Sequence, residues 1–186
     1  MTLKVLPTDL PGVLVIEPRV FRDERGFFLE TYSARAYREA GIAFAFVQDN
    51  FSHSTRGTLR GLHFQEPDGQ GKLCSVSRGR VWDVAVDVRR GSPTFGKWTA
   101  VELDDVSLRR IWIPPGFAHG FVVVSDVADF HYKCTAPYAP ASERAIRWDD
   151  PALAIPWPLP GAPLLSPKDE RAPVLADAPV LPTYQS

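Results

Sequence analysis

The sequence predicts an all-β protein, an antiparallel sandwich or barrel, and three observations carry that prediction. From Gly12 to Ala136 the chain falls into strand-length pieces at short spacing, with Gly or Pro between them. Between Lys72 and Val88 the residues alternate and are rich in valine, the pattern of strands with two different faces. From Pro151 to Ser186 the chain holds nine of its 18 prolines. Proline lacks a backbone donor and fixes φ, so this tail is neither central strand nor long helix.

The elements follow in order. Ser33 is placed to cap a helix over Ala34–Ala40, and Gly41 to end it. Strands are expected at Ala45–Phe51 and Thr58–Phe64. The Lys72–Val88 stretch reads as two strands joined by a tight turn at Arg78-Gly79-Arg80. Further strands are expected at Trp98–Leu103, Arg109–Ile113, Gly120–Val124 and Ala128–Cys134. The proline-rich tail is expected to wrap over the barrel and end loosely, pinned by the rings of Trp148 and Trp157. No repeat and no linker divides the 186 residues, so one domain over 1–186 is expected.

Composition narrows the function. The hydrophobic share of 45% and charged share of 23% are those of a globular chain. A net charge of −1 lacks the basic surplus of a nucleic-acid binder. Cys74 and Cys134 are far apart and suggest neither a disulfide framework nor a zinc knuckle. Near the N-terminus the longest apolar stretch, Val13 to Ile16, is too short for a signal peptide or membrane span, so a cytoplasmic protein is expected.

The chemistry concentrates in two segments, Gly61-Leu62-His63-Phe64-Gln65 and Pro114-Pro115-Gly116-Phe117-Ala118-His119. The second matches the Pro-x-Gly-x-x-His element of cupins, small jelly-roll barrels. A metal cupin would carry His-x-His in the first segment, because alternate strand residues face one way and two imidazoles can grip one ion. Here Gln65 replaces the second His, and a neutral amide is a poor transition-metal ligand. No metal and no cofactor are therefore expected. Strand parity puts Asp83 and Ala85 on one face and Trp82, Val84 and Val86 on the other. An inward Asp83 needs a partner, for which His119 is the natural candidate. Parity also turns Phe130, Tyr132 and Cys134 inward and His131 and Lys133 outward. His53 sits in a Ser-rich stretch expected to be a solvated loop. Arg60 and His63 lie three apart and would face opposite ways in a regular strand, unless Gly61 hosts a bulge.

The chain resembles the dTDP-4-dehydrorhamnose 3,5-epimerases over nearly its whole length. The resemblance is carried by Asp23-Glu24-Arg25-Gly26-Phe27-Phe28-Leu29-Glu30, Phe46-Val47-Gln48-Asp49-Asn50, Leu59-Arg60-Gly61-Leu62-His63-Phe64-Gln65 and Asp83-Val84-Ala85-Val86-Asp87. It continues in Gly91-Ser92-Pro93-Thr94-Phe95-Gly96, Gly116-Phe117-Ala118-His119-Gly120-Phe121 and Leu165-Ser166-Pro167-Lys168-Asp169. It implies a cupin-type antiparallel jelly-roll barrel with a few short helices, acting on a dTDP-4-keto-6-deoxyhexose.

By that resemblance His63 is the base that removes the C3 and C5 protons, and Asp169 orients its ring. Tyr132 is similar to the proton donor on the opposite face, and Lys72 to the group that stabilises the C4 oxyanion. Arg60 is suited to the phosphates, and Gln48, Asp49 and Asn50 resemble the strand that contacts the nucleotide. His119, Glu143 and Lys168 match family substrate contacts, and Tyr138 is placed to stack on thymine. Arg25 and Glu30 resemble residues lent by a neighbouring subunit, which implies a homodimer. Three other readings stay open: epimerisation at C3 or C5 alone, a metal-dependent cupin oxygenase or isomerase, and a non-catalytic sugar-nucleotide binder.

Overall fold

The computed structural model describes residues 3–185. Met1, Thr2 and Ser186, the outer ends of the N-terminal stretch and of the C-terminal wrap, lie outside the described residues. The strands are β1 (Lys4–Pro7), β2 (Leu14–Glu17), β3 (Val20–Asp23), β4 (Gly26–Leu29), β5 (Gln48–Thr55), β6 (Leu59–Gln65), β7 (Lys72–Asp87), β8 (Trp98–Asp104), β9 (Arg110–Ile113), β10 (Phe117–Cys134) and β11 (Glu143–Ala145). Two short helices, α1 (Ala34–Glu39) and α2 (Pro167–Glu170), complete the elements that matter here.

Two strands organise everything else. β7 and β10 are long and pair antiparallel along their whole length, and each changes its other neighbour midway. β7 takes β9 along Lys72–Ser75 and β8 along Arg80–Val86. β10 takes β6 along His119–Val122 and β5 along Val127–Cys134. A sheet whose central strands serve two sets of neighbours curls round, and the side chains on its concave face meet. Cys74, Val81, Ala85, Ile111, Phe121 and Phe130 form that interior cluster, drawn from both halves of the long strands. This is the cupin-type jelly-roll barrel the sequence leads one to expect.

The expected turn at Arg78-Gly79-Arg80 is absent. Gly79 (φ +78°) instead bends one continuous strand, opposite a bulge between Val123 and Ala128 of β10. A Cβ there would lie 1.9 Å from the Val127 carbonyl oxygen, so only glycine lets the two backbones approach. A glycine between two arginines gives the same local signal for a turn or a bend. Pairing with β10 decides for the bend, and likewise fuses the two strands expected at 120–124 and 128–134. Strand β5 also starts later and runs further than expected, so His53 lies in a strand rather than a loop, where it pairs with Asp129.

The first helix forms as its caps require: Ser33 Oγ accepts from Ala36 N–H, and Gly41 ends the turn at φ +86°. The tail wraps as expected, but its described end is not loose: Thr183 bridges to Arg90, and Tyr184 N–H donates to the Arg90 carbonyl (2.9 Å). Leu153, Ile155, Trp157, Leu175 and Ala178 pack against Leu62, Val84 and Val86 on the convex face. Trp157 donates to the Trp148 carbonyl (2.8 Å) and packs edge-on against Trp82. The tail also pairs at Thr58 and Leu164, which delivers α2 to the open end of β6.

Candidate active site

A cavity of about 960 Å³ opens into the barrel. Arg60 and His63 come to it from β6, Lys72 from β7, and His119 and Tyr132 from β10. Asn50 on β5, Glu143 on β11 and Lys168 and Asp169 on α2 complete the predicted residues that line it.

The bulge at Gly61 brings Arg60 and His63 to one side. His119 pairs with His63 and Phe121 with Arg60, so β6 advances three residues where β10 advances two. Gly61 sits at φ +134°, and a Cβ there would lie 2.5 Å from Gly120 Cα. Arg60 then holds Ser54 Oγ through Nε and Nη2 (3.2 and 3.1 Å).

His63 Nε2–H donates to Asp169 Oδ1 at 2.5 Å. In the neutral ring that contact leaves the lone pair on Nδ1. Burial pushes the His63 pKa below its ordinary value; Asp169 opposes this, and the nearby Lys72 and Lys168 charges add to it. For Asp169, burial alone would raise the pKa, but hydrogen bonds from His63 and Ser166 and the Lys168 charge outweigh it, so the carboxyl is held low. Burial pushes the Tyr132 phenol up to about 12, with nearby Cys134 and Cys74 acting the same way and Arg60 opposing. Lys72, almost fully buried, donates to the His63 carbonyl oxygen (3.3 Å), and burial lowers its pKa. The wall thus carries an imidazole, a phenol and a buried amine, groups whose chemistry can supply a base, an acid and a partner for a developing negative charge.

Deeper in the barrel, His119 Nε2 and Asp83 Oδ2 share a hydrogen bond of 2.9 Å, as parity predicts. Burial raises the Asp83 pKa against the pull of His119 and Lys72, and Asp83 Oδ1 has no hydrogen-bond partner among the described residues. Cys74 Sγ lies 3.8 Å from the same Nε2, so Cys74, Asp83 and His119 present three donor atoms that could hold a cation. The Lys72 ammonium shares this interior and opposes one. Gln65 does not join His63 and His119. Its amide donates to the Asp68 and Pro137 carbonyls and accepts from Ala139 N–H, tying down two loops.

The remaining predicted residues lie outside the cavity. Gln48 bridges Asn50 and the Tyr138 backbone at its edge, and Tyr138 OH joins a chain to Glu143 and Lys168. Asp49 points to the other face and pairs with Lys133. Arg25 and Glu30 belong to the β3–β4 hairpin region; Arg25 is exposed and paired with Asp23. His131 is turned away against Phe51 and Ser77. Ser52, Ser166 and Arg171 also line the cavity and were not foreseen. Strand alternation from Asn50 could have found Ser52, and the Ser-x-x-Asp spacing could have found Ser166.

A jelly-roll barrel of the cupin type with a histidine–carboxylate pair, a tyrosine and a lysine on one internal cavity defines a proton-transferring cupin. The family profile described as dTDP-4-dehydrorhamnose 3,5-epimerase matches residues 7–177, and the chain belongs to that family. A dTDP-4-dehydrorhamnose 3,5-epimerase of Pseudomonas aeruginosa is 54% identical over 97% of this chain and 100% of its own length. A dTDP-4-dehydrorhamnose 3-epimerase of Streptomyces niveus is 44% identical over 98% of this chain and 90% of its own. The crystal structure of a dTDP-6-deoxy-D-glucose-3,5-epimerase from Legionella pneumophila, in complex with dTDP-4-keto-L-rhamnose, superposes with a TM-score of 0.96. It is 53% identical and covers 99% of this chain and 100% of that one. No helix among the described residues is long and apolar enough to cross a membrane.

Proposed function

We propose that this chain inverts C3 and C5 of dTDP-4-keto-6-deoxyglucose to give dTDP-4-keto-rhamnose. The observation that carries the reading is the convergence of His63, Tyr132 and Lys72 on one cavity, with Asp169 holding the His63 ring. A proton beside the sugar ketone is acidic because its departure leaves an enolate on the C4 oxygen. His63 takes that proton, Lys72 stabilises the oxyanion, and Tyr132 returns a proton from the other face. The phenol is a weak acid, but an enolate is basic enough to accept from it. Arg60 and Lys168 supply positive charge for the pyrophosphate, with Asn50, Gln48 and Tyr138 towards the thymidine and His119 and Glu143 towards the sugar.

The neighbouring half of the site comes from a second copy of the chain. The β3–β4 hairpin forms a sheet of its own and exposes Phe21, Phe27 and Phe28, at 40%, 52% and 66%. An exposed aromatic hairpin that carries Arg25 and leads into Glu30 suits an arm laid on a partner. Light scattering should therefore give twice the chain mass. A monomer would remove Arg25 and Glu30 from the neighbouring site.

The test of activity is proton NMR of dTDP-4-keto-6-deoxyglucose with the protein in heavy water. Loss of both the C3 and C5 signals is expected. Exchange at C3 alone would make the chain a 3-epimerase like the Streptomyces niveus relative. No exchange would leave a binder.

A further inference from the structure

Asp169 does not hold His63 unaided. Its Oδ1 accepts from His63, and its Oδ2 accepts from Ser166 Oγ–H at 2.9 Å. The same Ser166 Oγ accepts from Asp169 N–H at 3.2 Å, so one hydroxyl caps α2 and also fixes the carboxylate. Asp169 is 2% exposed, beneath an exposed Ser166 on the cavity wall. Rotation of that carboxylate would carry Oδ1 away from His63, and the Ser166 bond opposes the rotation.

We infer that Ser166 is a positioning residue for proton abstraction, forming a Ser166–Asp169–His63 chain that sets the orientation and basicity of the imidazole. The inference rests on the reading of His63 as the base. The charged and titratable groups around that ring are Asp169 and Lys168 from α2, Lys72 from β7, Glu143 from β11 and His119 across the strand. Among the described residues only Ser166 bonds the far oxygen of Asp169. Without that donor the carboxylate keeps more negative charge towards His63, which favours the imidazolium.

The hydroxyl's two roles can be separated. Ser166→Ala removes both cap and donor. Ser166→Gly keeps most of the cap, because glycine is tolerated at that position, but has no hydroxyl to donate to Asp169. Ser166→Thr keeps both. For Ala and Gly we expect kcat for C3 and C5 exchange to fall roughly tenfold, as loss of one hydrogen bond to a charged group would give, with KM within about twofold. The His63 C2–H resonance should titrate about half a pH unit higher in both. Ser166→Thr should restore both values.

If Ser166→Gly behaves as the parent while Ser166→Ala does not, Ser166 only caps α2 and the inference is overturned. Unchanged kcat and unchanged His63 titration in both variants overturn it equally. If the parent protein exchanges no proton at all, the proposed function fails. The His63 titration then still decides whether Ser166 tunes that ring: an upward shift in Ala and Gly keeps the chain of contacts, and no shift removes it.

Discussion

Two histidine–aspartate pairs stand side by side in this barrel, His63–Asp169 and His119–Asp83, with His63 and His119 facing each other across paired strands. The ligand chemistry is the same and the surroundings are not. His63 is 26% exposed to the cavity, and both oxygens of its carboxylate are bonded. His119 is 8% exposed, and one oxygen of its carboxylate has no hydrogen-bond partner among the described residues. A third pair, His53–Asp129, lies on the surface with the imidazole 51% exposed. The difference teaches that a histidine–carboxylate pair is not a function in itself. His63, more exposed and with both carboxylate oxygens of its partner bonded, suits the base proposed for it; His119, more deeply buried on the same cavity wall, suits a supporting contact.

The sharpest way to break this comparison is His63→Ala. Proton exchange at C3 and C5 should fall by about a thousandfold, within the range for loss of a general base, while thymidine diphosphate binding stays close to the parent. Near-normal turnover in the exchange assay would move the base elsewhere, with His119 the first suspect. Tyr132→Phe should retain exchange at one face yet lose most net inversion, read by comparing solvent deuterium uptake with product formed. Equal loss of both would make Tyr132 a substrate-positioning group.

Asp83→Asn should act chiefly on stability. Breaking a buried pair costs about 3 kcal/mol, seen in chemical denaturation, whereas activity per folded molecule should fall less than in His63→Ala. If stability is unchanged and activity vanishes, the assigned roles of the two pairs are reversed. His53→Ala should be the mildest change, below about 1 kcal/mol and silent in the exchange assay, as for an exposed ion pair.

The pH profile sharpens the same contrast. The pKa of His63 is lowered, so its competent neutral form persists below the ordinary value near ~6.5. As pH falls through the lowered pKa the ring is protonated and kcat/KM should drop about tenfold per unit. Asp169 is already ionised there, because its pKa is also lowered. Tyr132, at about 12, stays protonated through the neutral range and should add no alkaline limb near neutrality. An acid limb centred above pH ~7 would contradict the assignment of His63.

Much of this was legible in the chain. Alternation along Val81–Asp87 and Phe130–Cys134 put Asp83 and Tyr132 inward, because a strand's two faces are written with period two. The conflict between Arg60 and His63 pointed to a bulge at Gly61, and the register shift is there. The continuous runs of β7 and β10 were not legible, since Gly79 reads locally as a turn. Nor was the strand character of His53, whose serine-rich neighbours read as loop until β10 pairs with them.

The sequence by itself determined the residue kinds, the faces they take along each strand, the helix caps and a tail too rich in proline to enter the sheet. These are local properties, set by φ limits, hydrogen-bonding capacity and periodicity. The family resemblance already named Asp169 as the partner of His63, 106 residues away; only the tertiary structure decided that Ser166 holds the far oxygen and that His119 is more deeply buried than His63. Those outcomes depend on two long strands sharing neighbours and on a tail that carries α2 back to β6. Contacts across such separations follow from where packed surfaces come together, and no local pattern encodes that.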